Sequence, residues 1–205
     1  SIMKVKICGL SNLEQVETCI KYNADFCGFI LNYPKSHRFI SYEKAIELTN
    51  IKKKNTQYVG VLVNPSEEEL NRYSKLNIDY FQIYGDFSEK NLEKIKSKYK
   101  KKIIFAIQVK SKEDISKYKL IQKEADIILF DSSGFEKSLT WNFNWIKNIP
   151  ITKMIAGNIN IDKLDNIYKL ADIVDVSGAL ETNKVKDIYK IKSFLIKVKK
   201  INAKN

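Results

Sequence analysis

Eight short runs rich in Ile, Val and Phe recur along the chain, each separated from the next by a longer, more polar segment. They are Val5–Cys8, Phe26–Leu31, Tyr58–Val63, Tyr80–Ile83, Ile103–Val109, Ile127–Asp131, Met154–Ala156 and Val174–Ser177. Continuous apolar runs of this kind suit strands buried on both faces, as in a parallel sheet covered by helices. The intervening segments offer helix N-caps at Ser11 or Asn12, Ser41, Ser66, Ser88, Ser111, and Asn160 or Asp162, with a final helix from about Lys184. Ser66-Glu-Glu-Glu69 reads as a capping box with acidic charge in its first turn. Ser41-Tyr-Glu-Lys44 and Ser111-Lys-Glu-Asp114 have similar acidic starts. Repeated strand–helix units without an internal break predict a single closed (β/α)₈ barrel, the TIM-barrel class of α/β fold. An open doubly wound sheet is disfavoured, since the Gly-x-Gly-x-x-Gly turn of a dinucleotide fold is absent. At 205 residues the barrel would be compact, spanning 3–201 with a tail at 202–205. The least regular stretch, Asp131–Asn148, is the expected long loop.

Composition narrows the functional classes. Hydrophobic content of 44% suffices for a sizeable core, and no apolar run approaches the roughly 18 residues of a membrane span. The N-terminus lacks a signal-peptide layout, and Ser1-Ile2 ahead of Met3 reads as an expression scar. Three cysteines without a CxxC pair, and one histidine, argue against a metal site and fit a reducing cytoplasm. The net charge of +12 comes from lysines spread over most helices, as in Lys94-Ile-Lys-Ser-Lys-Tyr-Lys-Lys-Lys102. Nucleic-acid binding wants a focused patch or a reading motif. A diffuse basic surface suits attraction of a small anionic substrate.

Cys8 ends the first apolar run and Asp131 closes the sixth. In a parallel barrel the strand C-termini converge on one face, so these two can meet over one substrate as general base and general acid. Lys6, two residues before Cys8, points the same way and would lie in the layer beneath. Its charge is expected to favour the thiolate near neutral pH, unless it merely reaches solvent. The loop Asn32-Tyr-Pro-Lys-Ser-His-Arg38-Phe-Ile carries Lys35, His37 and Arg38. Arginine there suits bidentate capture of a carboxylate or phosphate.

Together these segments resemble the phosphoribosylanthranilate isomerases of tryptophan biosynthesis, almost end to end. Lys6-Ile-Cys8-Gly9 is similar to the family's opening motif, and Gly28-Phe-Ile with Tyr33-Pro-Lys-Ser-His-Arg38-Phe-Ile to its second strand and basic loop. Tyr58-Val-Gly-Val-Leu-Val-Asn64 and Asp79-Tyr-Phe-Gln82-Ile-Tyr-Gly-Asp86 resemble the third and fourth strands. Phe130-Asp131 through Trp141, Ile155-Ala-Gly157-Asn, and Val174-Asp-Val-Ser177 through Glu181 complete the series.

The resemblance implies an Amadori rearrangement of N-(5-phosphoribosyl)anthranilate in which Asp131 protonates the ring oxygen and Cys8 removes the sugar C2 proton, with no metal or organic cofactor. It also implies that Arg38 holds the anthranilate side, that Lys6, Gln82 and Asp175 complete the pocket, and that Gly157, Asn158, Ser177, Gly178 and Ala179 hold the phosphate. Family members occur as monomers or homodimers. The sequence departs from the family at four places. Tyr84 stands for histidine, Asn158 and Ala179 stand for glycines, and Phe135-Glu136 interrupt the glycine-rich loop. Ala179 would be strained if its position requires positive φ. The alternative reading is a barrel that has lost catalysis and serves as a phosphate-ligand-binding or scaffold protein.

Overall fold

A computed structural model of the chain describes residues 2–132 and 139–205. Its strands are β1 (Lys4–Cys8), β2 (Phe26–Ile30), β3 (Gln57–Val63), β4 (Tyr80–Tyr84), β5 (Lys102–Val109), β6 (Ile127–Ser132), β7 (Lys153–Ile155) and β8 (Ile173–Val176). They hydrogen-bond in chain order, all parallel, and β8 returns to β1 to close the barrel. Each lies within a residue or two of an apolar run read from the sequence.

Two apolar layers hold the barrel together. Outward side chains such as Ile7, Cys27, Phe29, Leu62, Phe81, Phe105 and Phe130 pack beneath the helices. Inward ones, including Phe26, Val59, Tyr80, Ile104, Leu129, Met154 and Ile173, fill the interior. Towards the strand C-termini this filling turns polar, with Cys8, Gln82, Tyr84, Asp131 and Asp175 around a cavity. A buried polar group must find a partner, so this ring is where the fold departs from simple packing.

The helices start where short polar side chains satisfy their first N–H groups. Asn12 caps α1 (Leu13–Lys21), Ser41 caps α2 (Tyr42–Thr49), and Ser88 caps α4 (Glu89–Tyr99). At α3 (Glu67–Tyr73) the Ser66–Glu69 capping box is formed in both directions. The segment after Ser111 is a 3₁₀ helix, Lys112–Leu120, and Phe143–Ile146 forms a second 3₁₀ turn. After a short 3₁₀ turn capped by Asn160 comes α5 (Leu164–Ile167).

The final helix, α6 (Ile188–Lys204), begins later than the expected Lys184. A two-stranded hairpin, β9 (Glu181–Thr182) and β10 (Val185–Lys186), intervenes. Its turn residues Asn183 and Lys184 both adopt positive φ, 51° and 64°, the geometry that matches strand twist in a two-residue hairpin. Helix α6 also runs into the residues expected as a tail. There Asn202 exchanges hydrogen bonds with the Met3 backbone, tying the helix to the start of β1. Among the described residues no helix is long and apolar enough to cross a membrane.

Candidate active site

The cavity at the strand C-termini is lined by Cys8, Arg38, Gln82, Tyr84, Asp131 and Asp175, and by the turns after β7 and β8. Every residue expected at the site lines it except Lys6. Lys6 lies beneath, as its spacing from Cys8 predicts, and is fully buried rather than reaching solvent. Register explains its partner: Lys6 stands opposite Asp175 on β8, and its Nζ donates to both carboxylate oxygens at 3.2 and 3.3 Å. Burial works against the Lys6 charge, but Asp175 and Cys8 outweigh it and keep the ammonium protonated above its ordinary value.

Lys6 favours the Cys8 thiolate as expected, but it does not make Cys8 a ready thiolate near neutral pH. Burial lifts the thiol above its ordinary value, with the nearby Asp175 charge adding to the rise, and Lys6 and Lys186 offset this only in part.

Asp131 is tuned the opposite way from a surface carboxylate. Burial, with help from the Asp175 charge, raises it to about 6 despite two hydrogen bonds that favour the ionised form. The Tyr84 hydroxyl donates to Oδ2 at 2.6 Å, and the Ser132 N–H donates to Oδ1 at 2.7 Å. A carboxyl with this proton affinity is half protonated near pH 6, suited to general acid work.

Arg38 reaches the cavity because the loop after β2 folds back on its own strand, where Ile40 N–H donates to Ile30 C=O at 3.1 Å. The side chain then crosses Gly9, which has φ +87° and where a Cβ would come within 2.4 Å of Arg38 Cδ. Sequence reading missed what holds the guanidinium. Glu181 on the hairpin accepts from Nε at 2.7 Å and from an Nη at 3.0 Å. His37 and the buried Lys186 also contact Glu181. Burial would raise that carboxyl, but Arg38, Lys186 and His37 together hold it at about 2. Lys186 carries no motif that marks it; only the hairpin brings it here.

The turns expected to hold phosphate border the same cavity. Gly157 has φ +121° and Asn158 φ +52°, so the asparagine occupies a left-handed conformation that it tolerates. Ala179 is not in that region; it sits within the 3₁₀ turn Gly178–Leu180, and the expected strain does not arise. Among the described residues, the backbone N–H groups of Gly157, Asn158, Gly178 and Ala179 donate to no protein acceptor. Trp141 lies over Gly157 and donates from Nε1 to Ala156 C=O at 2.9 Å. Phe135 and Glu136 lie outside the described residues.

Comparison with known proteins agrees with this geometry. Residues 5–197 match the family described as N-(5'phosphoribosyl)anthranilate (PRA) isomerase. N-(5'-phosphoribosyl)anthranilate isomerase of Thermoanaerobacter pseudethanolicus is 35% identical over 98% of this chain and 100% of its own. That of Streptococcus gordonii is 37% identical over 96% of this chain and 97% of its own. The crystal structure of phosphoribosyl anthranilate isomerase from Thermotoga maritima superposes with a TM-score of 0.86 at 27% identity, covering 97% of this chain and all of that one. A phosphoribosyl anthranilate isomerase solved in complex with reduced 1-(o-carboxyphenylamino)-1-deoxyribulose 5-phosphate gives a TM-score of 0.84 at 27% identity, with the same coverage. With its closed strand order, and with relatives matched over nearly their whole length, this chain belongs to the N-(5'-phosphoribosyl)anthranilate isomerase family.

Proposed function

We propose that this chain converts N-(5'-phosphoribosyl)anthranilate to 1-(2-carboxyphenylamino)-1-deoxyribulose 5-phosphate, with Asp131 as general acid and Cys8 as general base. The observation that carries the reading is the pairing of a carboxyl raised to about 6 with a buried thiol on the rim of one cavity. Asp131 gives its proton to the furanose ring oxygen. The C1–O bond breaks as the anthranilate nitrogen lone pair forms an iminium. Cys8 takes the C2 proton, and the electrons of that C–H bond neutralise the iminium to give an enolamine, which tautomerises to the ketone. Arg38, fixed by Glu181, faces the anthranilate carboxylate, and the open N–H groups after β7 and β8 receive the phosphate.

The two proton affinities stand in reversed order: the acid titrates below the base. At neutral pH the resting form is therefore Asp131 carboxylate with Cys8 thiol. The reactive form, carboxylic acid with thiolate, holds the same number of protons and differs by an internal redistribution. Its fraction is thus constant between the two pKa values, so kcat/KM should rise to a plateau near pH 6 and fall only above the ordinary thiol range. One passage through isomerisation returns the pair to carboxylate and thiol.

The test is turnover of N-(5'-phosphoribosyl)anthranilate, followed by loss of its fluorescence. Cys8→Ala and Asp131→Asn should each lower kcat at least about 10²-fold with little change in substrate affinity, as expected for groups that act in the transition state. A wild-type chain that binds the substrate without converting it would instead support a ligand-binding barrel. Free cysteines at 8, 19 and 27 suit a reducing cytosol.

A further inference from the structure

We propose that Tyr84 is a positioning residue for the general acid: its hydroxyl holds Asp131 in place and sets the pH at which that carboxyl can donate a proton. This rests on the reading of Asp131 as the acid. Where the family resemblance leads one to expect histidine, this chain carries a phenol, so the device belongs to this sequence.

The geometry comes from strand β4. Gln82 and Tyr84 are two residues apart and so both point into the barrel. Tyr84 is buried, and its Oη lies 2.6 Å from Asp131 Oδ2 and 3.3 Å from Gln82 Nε2. With the Ser132 N–H on Oδ1, both carboxyl oxygens have a fixed partner, and the side chain has no freedom to turn from the cavity. Among the described residues, the charged or titratable groups facing the Tyr84–Asp131 pair from the other strands are Lys6 and Cys8 on β1 and Asp175 on β8. Lys6 is ion-paired with Asp175 and adds a smaller pull towards the Asp131 anion. Among the described residues, Tyr84 is the neutral donor that favours the Asp131 anion from across the barrel.

A hydroxyl suits this place because it can donate or accept. While Asp131 is ionised, Tyr84 donates to it and Gln82 Nε2 donates to Tyr84. When Oδ2 is protonated the direction reverses, and the Tyr84 hydroxyl must find another acceptor. Gln82 Oε1 is buried and has no hydrogen-bond partner among the described residues. Rotation of the Gln82 amide by half a turn presents that oxygen to Tyr84. Donation of the acid's proton is thus matched by reorientation of one hydroxyl and one amide, with no movement of the backbone.

Tyr84→Phe removes both roles while keeping the ring. The Asp131 pKa, read from its carboxyl ¹³C shift, should rise by about one pH unit, a roughly tenfold gain in proton affinity, in line with the loss of a hydrogen bond to a charged group. The acid limb of kcat/KM should move upward with it, from near pH 6 to near pH 7. If neither moves, Tyr84 only fills space and the inference falls. If the NMR pKa moves but the kinetic limb stays, the coupling is real but Asp131 is not the acid, which overturns the reading beneath the proposal. Asp131→Asn activity separates these cases independently.

Discussion

Asp131→Asn should make the folded chain more stable at pH 8 while abolishing isomerisation. Burial lifts the carboxyl from 3.8 to about 6. Because the folded-state value lies above the unfolded one, the folded chain holds the extra proton between these pH values. Its stabilising contribution is complete below about 3.8 and is lost as pH rises through about 6. A displacement of this size corresponds to about 3 kcal/mol lost at neutral pH. The neutral amide never ionises. It can still accept from the Ser132 N–H, and its NH₂ can donate to the Tyr84 oxygen. Asp131 is only half-buried by accessible surface, so solvent screening reduces the expected gain to about 1–3 kcal/mol. Urea unfolding followed by tryptophan fluorescence at pH 5, 6.5 and 8 measures it, since the two tryptophans, at 141 and 145, sit close in sequence by the β6–β7 connection. The variant's advantage should be largest at pH 8 and shrink towards pH 5. An advantage independent of pH, or none at pH 8, would refute the claim that the barrel strains its acid by burying it.

Lys6→Met should destabilise the fold by about 3–5 kcal/mol, since it leaves Asp175 buried without its cation. Adding Asp175→Asn should recover much of that loss, and a urea-melt double-mutant cycle measures the coupling. Gly157→Ala should raise KM more than it lowers kcat. Its Cβ would lie 2.9 Å from both Leu139 C=O and Trp141 Nε1 at a backbone φ of +121°. Backbone strain at such a site costs of order 1–3 kcal/mol, and steady-state kinetics beside a thermal melt reads both effects.

The barrel was legible because its strands are buried on both faces. Such strands appear in sequence as unbroken apolar runs, and serine or asparagine caps mark the starts of the helices between them. Cys8 and Asp131 were legible for a related reason: each stands at the end of such a run, and a parallel barrel sends every run's end to one face. The hairpin after β8 was not. Asn183-Lys184 lacks the glycine that usually announces a two-residue turn, so the segment reads as the start of the last helix. With the hairpin went Glu181 and Lys186, which meet Arg38 only because β9 and β10 fold over the strand ends. Tyr84 had a signal, its two-residue spacing from Gln82, but the apolar run Tyr80–Ile83 stops one residue short of it.

The electrostatics of the pair were illegible for a deeper reason. Spacing along β1 puts a cation beneath Cys8, but only the register of β1 against β8 reveals that Asp175 claims it. Desolvation, moreover, acts on both partners in the same direction. It raises a carboxyl, which makes a better-populated acid at neutral pH, and it raises a thiol, which makes a scarcer base. A buried acid–base pair built from these two residue types cannot be tuned by burial alone. It needs a positive charge beneath the thiol and none beside the carboxyl. The barrel supplies part of that asymmetry: Lys6 and Lys186 both lower the Cys8 thiol, whereas Asp131 is hydrogen-bonded by neutral donors, the Tyr84 hydroxyl and the Ser132 N–H, and feels Lys6 as the least of the influences on it. The asymmetry stops short of making Cys8 a resting thiolate chiefly because burial raises the thiol, and also because an ammonium beneath it needs a buried counter-charge. Asp175 meets that need, and its charge adds to the burial that keeps the proton on Cys8.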